Sequence, residues 1–325
     1  MMNAAVFHNF GDPAKVIVVE QVEIPQPGDH DVLVRMVMSP IHNHDLVTVR
    51  GQYGVKPVLP AVGGSEGVGI VTALGAKVTG VQIGARVAAA GLKQGWAEYF
   101  VAPAASLVPI PDAMTDETAA QILGMPLSSV LALNQYDAQP GDWIIVNAGN
   151  GAVGKVIAAA GRARGVMVAL LVRREQARAD LMAQGFEHVF VDTDAGWQDR
   201  LREVIGTARV AGGVDNIGGP AAGELAALIS ADGLLLSFGA MSGQPVQISA
   251  SDLIFKQITL RGYWSYVEFR KLTPAQMGAV IAEVFSLSLS GQLVLPVAGI
   301  FPLAEAASAM AASAVPRDGK VLIAG

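Results

Sequence analysis

Six residues, Gly149-Asn150-Gly151-Ala152-Val153-Gly154, form a complete G-x-G-x-x-G. The motif follows the apolar run "WIIVNA" and opens an alanine-rich stretch, so it reads as the turn between a strand and a helix. In that context the first two glycines let the backbone turn tightly and approach a pyrophosphate. The third lets helix and strand pack closely, and the helix N-terminus supplies amide donors. The sequence therefore predicts a dinucleotide site. At the end of the next strand stands "LLVRRE", where Arg173 and Arg174 occupy the place at which an NAD site usually carries an acidic residue for the ribose 2′-hydroxyl. Two guanidinium groups suit a 2′-phosphate, which predicts NADPH over NADH. Glu175, next in line, is the group that could still turn toward a ribose.

Two further clusters lie in the first hundred residues. Tyr53, one of five tyrosines, sits between glycines in "GQYGVKP", a loop-like stretch in which it has no strand or helix to fill. His42 and His44 form an H-x-H with Asp45 and Glu66 within possible reach. Histidines two apart on a strand share a face, so an improvised metal site and ordinary polar roles in a loop both fit them. The chain has no cysteine, which removes disulfides, thiolate catalysis, cysteine-bound zinc and iron–sulfur clusters together.

The surrounding elements must position these groups. The first hundred residues read as short strands with Gly and Pro punctuation, the pattern of a barrel or sandwich. Near "MTDETAAQILGMPLSSV" the texture changes: Thr115 offers a helix cap and an apolar helical period follows. Beyond it strands and helices alternate, which predicts a parallel, doubly wound sheet. The tail supplies two amphipathic helices and a terminal strand able to return to the first domain. At 325 residues two domains are expected, over residues 1–118 with 266–325 and over residues 119–265.

Composition narrows the function. Hydrophobic residues are 52% and charged ones only 15%, below the roughly 25% usual for globular chains, which points to a compact enzyme-like body with a surface of small residues and away from a disordered chain. A net charge of −6, with no basic run longer than the pair Arg173-Arg174, gives no footprint for nucleic acid or an anionic membrane. The first residues lack a cationic head followed by an apolar core, and no apolar run is long enough to span a bilayer, so the expected location is cytoplasmic.

With these features, the stretches "GQYGVKPVLPAVGGSEGVG", "QPGDWIIVNAGNGAVG", "VRRE", "NIGG", "LIFKQITLRGYW" and "GKVL" make the whole chain similar to the medium-chain dehydrogenase/reductase superfamily. Within it, the chain most resembles the zinc-free NADPH-dependent trans-2-enoyl-thioester reductases of the mitochondrial type. The resemblance implies an N-terminal GroES-like β-barrel domain and a Rossmann domain. It implies hydride transfer from NADPH to the β-carbon, with Tyr53 as the catalytic residue that stabilises the enolate or delivers the α-proton. It places Gly149 to Gly154 on the pyrophosphate and Arg173 and Arg174 on the 2′-phosphate. Phe238, Gly239, Ala240, Met241, Tyr263 and Trp264 would line the nicotinamide side, Lys320 would touch the cofactor, and His42, Asn43 and Trp264 would border the substrate.

In the zinc-dependent members the metal is held by Cys, His and Cys, and the matching positions here are His42, Ser65 and Met125. Serine and methionine there do not make a normal zinc site, so no metal is expected. The family's Asn-Pro-Ser-Asp is His42-Asn43-His44-Asp45, which adds two imidazoles beside Tyr53 that could hydrogen-bond a carbonyl or shuttle a proton. A homodimer is expected through the strand "QITLRGYW". Two other readings share the fold: a quinone or α,β-unsaturated carbonyl oxidoreductase, and an NADPH-binding protein without catalysis.

Overall fold

The computed structural model describes all 325 residues, Met1–Gly325, as two compact units. The first comprises Met1–Gly124 and Val294–Gly325, and the second Met125–Leu293.

In the first unit, seven strands form one mixed sheet. Its path runs Val297–Pro302, Lys320–Ala324, Asp31–Pro40, Glu66–Leu74, Arg86–Ala90 and Val108–Pro109, with Tyr99–Pro103 also pairing to Asp31–Pro40. A smaller sheet holds Met2–Phe7 between Ile17–Val22 and Ala61–Val62. The returning tail is real: Leu322 pairs with Pro40 and Ala324 with Met38, antiparallel. Val32, Val34, Met36, Phe100, Trp96 and Ile323 fill the core, each close to fully buried. The indole of Trp96 lies against Gly63 and Gly64, where a Cβ would meet the ring at 2.2 and 2.6 Å. Any side chain at these two glycines would displace the largest group in the core.

The second unit is a six-stranded, all-parallel sheet in the order Val189–Val191, Met167–Val172, Trp143–Val146, Val210–Asp215, Leu234–Ser237, Thr259–Gly262. Its interior strands are apolar runs, as strands covered on both faces require. The chain leaves Trp143–Val146 in one direction for the first two crossovers and in the other for the last three, so strand order reverses there. Open α/β sheets bind ligands outside the carboxyl ends of the strands at such a point.

Three local expectations are corrected. His42 and His44 are not on a strand: residues Asn43–Val49 form a helix, with His42 as N-cap. The Asp45 carboxylate reaches back to accept from the His42 backbone N–H at 2.9 Å, so a short polar stretch read as loop is stabilised by its own acidic residue. The second domain also extends further than residue 265. Helix Pro274–Leu289, capped by Thr273 and Gln276, packs on helix Ala152–Ala163, and Arg164 makes paired bonds to Glu283 at 2.9 and 2.7 Å. Its amphipathic period shows that it needs a partner but not which one. Glu175 turns to Arg178, one turn along its own helix, at 2.8 Å.

Candidate active site

A turn able to receive a phosphate follows from helix geometry. Gly151 is the N-cap of helix Ala152–Ala163, and Lys155 is the first residue bonded back to it, at 3.1 Å. The amides of the preceding turn have no carbonyl four residues earlier to bond, and they point out of the helix start. Gly154 is required by contact: a Cβ there would lie 2.4 Å from the carbonyl oxygen of Gly149. Gly149 in turn lies against Leu170, where a Cβ would come to 2.7 Å of the leucine Cβ. Ala148 enters the turn at φ 49°, a left-handed conformation rare for a residue with a side chain.

Below this turn a buried network, unmarked in the sequence, ties the two central strands together. Asn147 donates through Nδ2 to Asp215 Oδ1 at 2.7 Å and accepts from the Asn216 backbone N–H at 2.7 Å. Asp215 Oδ1 also accepts from the amides of Ile217 and Gly218, both at 3.0 Å. The strands' carboxyl ends are thereby fixed at the switch point. The only sequence signal was the placing of Asn and Asp beside glycine turns at two strand ends.

Arg173 and Arg174 follow strand Met167–Val172 and are exposed. Phe238 stacks on Tyr263 at 5.0 Å and 17°, and the Tyr263 hydroxyl donates to the Ser128 carbonyl at 2.8 Å. Tyr263 is buried at 7% exposure, and burial raises its phenol pKa, so it stays neutral and committed to Ser128. Gly239 is packed against the Asn216 backbone, Ala240 and Met241 are exposed, and Trp264 is half-buried against Tyr266, with ring centres 5.1 Å apart. These positions fit a dinucleotide: a glycine cradle that a Cβ would fill, a helix N-terminus and a cationic pair at the next strand end.

The first unit holds a second cluster. Tyr53 is half-buried in the irregular stretch after helix Asn43–Val49, with its ring 5.7 Å from that of His44 and tilted 31°. His44 stacks on His42 at 5.0 Å and 15°. His42 Nε2 lies 2.7 Å from Glu66 Oε2, with both side chains only 1% exposed. Glu66 Oε1 accepts from the Leu123 backbone N–H at 2.7 Å. Gly124 closes over the pair, where a Cβ would sit 2.4 Å from Glu66 Oε2 and 3.2 Å from His42 Nε2. His44 Nε2 bonds Ser65 Oγ at 2.7 Å and lies 3.5 Å from Asp45 Oδ1. Asn43, by contrast, is exposed in the first helical turn.

Burial sets the charges. Desolvation pushes the Glu66 carboxyl up to about 7, against hydrogen bonds from the Gly124 and Leu123 amides that pull it down. His42 is held well below its ordinary value, first by burial and then by Lys320 and His44. Lys320 is lowered to about 8 by burial and by Arg317, while Asp45 and Glu66 raise it. At neutral pH His42 is therefore neutral and shares one proton's hydrogen bond with Glu66.

Sequence reasoning brought His42, His44 and Tyr53 near one another and gave Glu66 and Asp45 as neighbours. It missed Ser65 and Gly124 as working parts and did not place Lys320 beside this cluster. No group of three or more His, Asp or Glu side chains is arranged to hold a metal ion. Ser65, at a position where zinc-binding relatives carry a ligand, is a hydrogen-bond partner of His44, and the donor set does not fit zinc.

The alcohol dehydrogenase GroES-like domain model matches residues 28–112, and the zinc-binding dehydrogenase model matches residues 152–282. The mitochondrial enoyl-acyl-carrier-protein reductase of Homo sapiens is 32% identical over 321 residues, covering 97% of this chain and 86% of that protein. Among solved structures, a mycobacterial protein complexed with NADPH is 28% identical with a TM-score of 0.88, covering 100% of both chains. A quinone oxidoreductase of Pseudomonas syringae pv. Tomato is 25% identical with a TM-score of 0.86, also over 100% of both. Fold, glycine cradle and the extent of these matches agree that the chain belongs to the medium-chain dehydrogenase/reductase superfamily, together with the mitochondrial enoyl-acyl-carrier-protein reductases.

Proposed function

We propose that this chain is an NADPH-dependent reductase of activated carbon–carbon double bonds and that its acceptors are trans-2-enoyl thioesters. The observation that carries the reading is Tyr53, half-buried against His44 in a unit whose relatives at 32% identity are enoyl-thioester reductases over nearly the whole chain. Gly149 to Gly154 hold the pyrophosphate and Arg173 and Arg174 the 2′-phosphate, with Phe238, Gly239, Ala240, Met241, Tyr263 and Trp264 on the nicotinamide side. Bound NADPH supplies the hydride. When the β-carbon of an enoyl thioester is reduced, charge builds on the thioester oxygen and α-carbon. The Tyr53 phenol is suited to stabilise that enolate by hydrogen bonding and to deliver the α-proton. His42 and Asn43 border the acyl group, and Lys320 acts near the cofactor.

NADPH oxidation by the purified protein with crotonyl-CoA, a longer trans-2-enoyl-CoA and a simple quinone, with NADH as control, tests this directly. Preference for an enoyl-CoA and for NADPH supports it; turnover of the quinone alone moves the assignment to the second reading. That reading, a quinone oxidoreductase, is favoured by the fold match to the Pseudomonas syringae enzyme. In the same assay, Arg173→Ser with Arg174→Ser raises KM for NADPH by about 10–100-fold, the loss of one or two charge-assisted hydrogen bonds, and leaves KM for NADH unchanged. An equal effect on both cofactors would remove the arginines from phosphate recognition.

The partner we propose is a second copy of the chain. Strand Thr259–Gly262 ends the parallel sheet with every residue exposed, and Leu260, Ile254 and Phe255 are 42%, 59% and 82% exposed. An open, apolar sheet edge is relieved by pairing with its copy across a two-fold axis. Light scattering at working concentration gives a dimer mass; a monomer would refute the pairing. No helix is long and apolar enough to cross a membrane.

A further inference from the structure

Resting on the reading of Tyr53 above, we propose that His44 is the group that returns a proton to Tyr53 after each turnover. The reduction consumes one hydride and one proton, so a phenol that donates must be recharged from solvent every cycle. A half-buried side chain in contact with solvent on one side and with the phenol on the other meets that need.

His44 has this position. Its side chain is 26% exposed, its ring centre lies 5.7 Å from that of Tyr53 at a tilt of 31°, and its ring is stacked on His42 at 5.0 Å. The ring is also held in plane by hydrogen bonding of Nε2 to Ser65 Oγ at 2.7 Å, with Asp45 Oδ1 at 3.5 Å. The other titratable groups of the cluster are committed elsewhere: His42 to Glu66, Asp45 to the helix cap, and Lys320 to a site where burial and the charge of Arg317 lower it. Glu66 and His42 are 1% exposed and bonded to each other, so neither exchanges readily with solvent. His44 combines an ionisable ring, solvent access and contact with the Tyr53 ring.

The step balances as follows. The Tyr53 O–H bond breaks as its proton passes to the substrate α-carbon, which takes the electron pair of the former C=C bond. A His44 ring N–H bond then breaks, the Tyr53 O–H bond re-forms, and His44 takes a proton from water. The acceptor is reduced, the nicotinamide is oxidised, and the one proton consumed per turnover comes from solvent. His44 acts through Tyr53 and does not touch the substrate; Ser65 and His42 fix its ring.

His44→Phe keeps a flat ring in the stack and removes both nitrogens. With the acceptor that the native enzyme reduces best, the expected result is a fall in kcat of about 10–100-fold, in the range of proton-transfer contributions, with KM for NADPH unchanged. Added imidazole restores part of the rate in proportion to its protonated fraction. A kcat equal to that of the native protein, or a loss that imidazole does not relieve, overturns the proposal. A second measurement needs no turnover and no folded His44 variant. Nitrogen NMR of the five histidines is compared between the native protein and Tyr53→Phe. The proposal expects the His44 ring resonances to move and those of His8, His30 and His188 to stay; unmoved His44 resonances overturn it. Should no enoyl thioester be reduced by the native protein, the assigned activity fails, and the NMR comparison still decides whether the two rings share a proton path.

Discussion

Tyr53→Phe lowers kcat for a trans-2-enoyl-CoA by about 10²–10⁴-fold, the usual contribution of a positioned proton donor. NADPH binding, followed by fluorescence titration, is unchanged, because the glycine cradle and Arg173 lie on other elements. The substitution removes one oxygen and keeps the ring that packs near His44, so the loss reports on the hydroxyl and not on the loop. A quinone accepts hydride with little acid assistance and loses little in the same variant. The ratio of the two effects thus separates the two substrate classes in a single preparation. Unchanged turnover of the thioester would remove Tyr53 from the mechanism.

Glu66→Ala is expected to lower folding stability by about 2–5 kcal/mol, because it leaves the His42 ring nitrogen and the Leu123 N–H buried without their partner. Urea unfolding at pH 7 measures it, and a loss below about 0.5 kcal/mol, the range of ordinary surface substitutions, would show that the pair contributes nothing net. The pH dependence has a definite sign. The Glu66 carboxyl is raised in the folded state from 4.5 to about 7, so the folded protein holds more protons across that window. Its contribution to stability is therefore full below about 4.5 and is lost as pH rises through about 7. His42, lowered below 6.5, works in the opposite direction: it costs stability in acid and the cost is relieved as pH rises toward 6.5. In Glu66→Gln the falling limb disappears, and stability rises with pH up to about 6.5, where the native protein shows the two trends opposing. A falling limb that survives in Glu66→Gln would assign it to another group.

The parts of this molecule that repeat a local rule were readable from residues alone. The G-x-G-x-x-G turn is dictated by backbone contacts a few residues apart, as the 2.4 Å approach at Gly154 shows, and a flanking strand and helix were enough to identify it. The alternation that makes the parallel sheet is equally local. The Thr115 cap was read for the same reason, and its hydroxyl accepts from Thr118 at 3.3 Å. The His42–Glu66 pair was different: its members are 24 residues apart, and Gly124 and Lys320 reach them from still more distant segments. Nothing in the periodicity of "SPIHNHDL" announces a helix, since only the Asp45 carboxylate folding back on the His42 amide makes that start favourable. The amphipathic face of helix Pro274–Leu289 fitted either unit, and the choice rests on packing against helix Ala152–Ala163 and the Arg164–Glu283 pair.

The two clusters also differ in how freely they can change. Glu66, His42 and Gly124 are locked by close contacts, so that cluster is bound to the folding of its unit. Arg173 and Arg174 are exposed at the end of a strand whose register is fixed by its neighbours' backbones. Substitution there leaves both cores untouched. Descendants of this sequence can therefore vary the end of that strand through a few surface changes, while the cluster beside Tyr53 changes only with compensating changes in the interior.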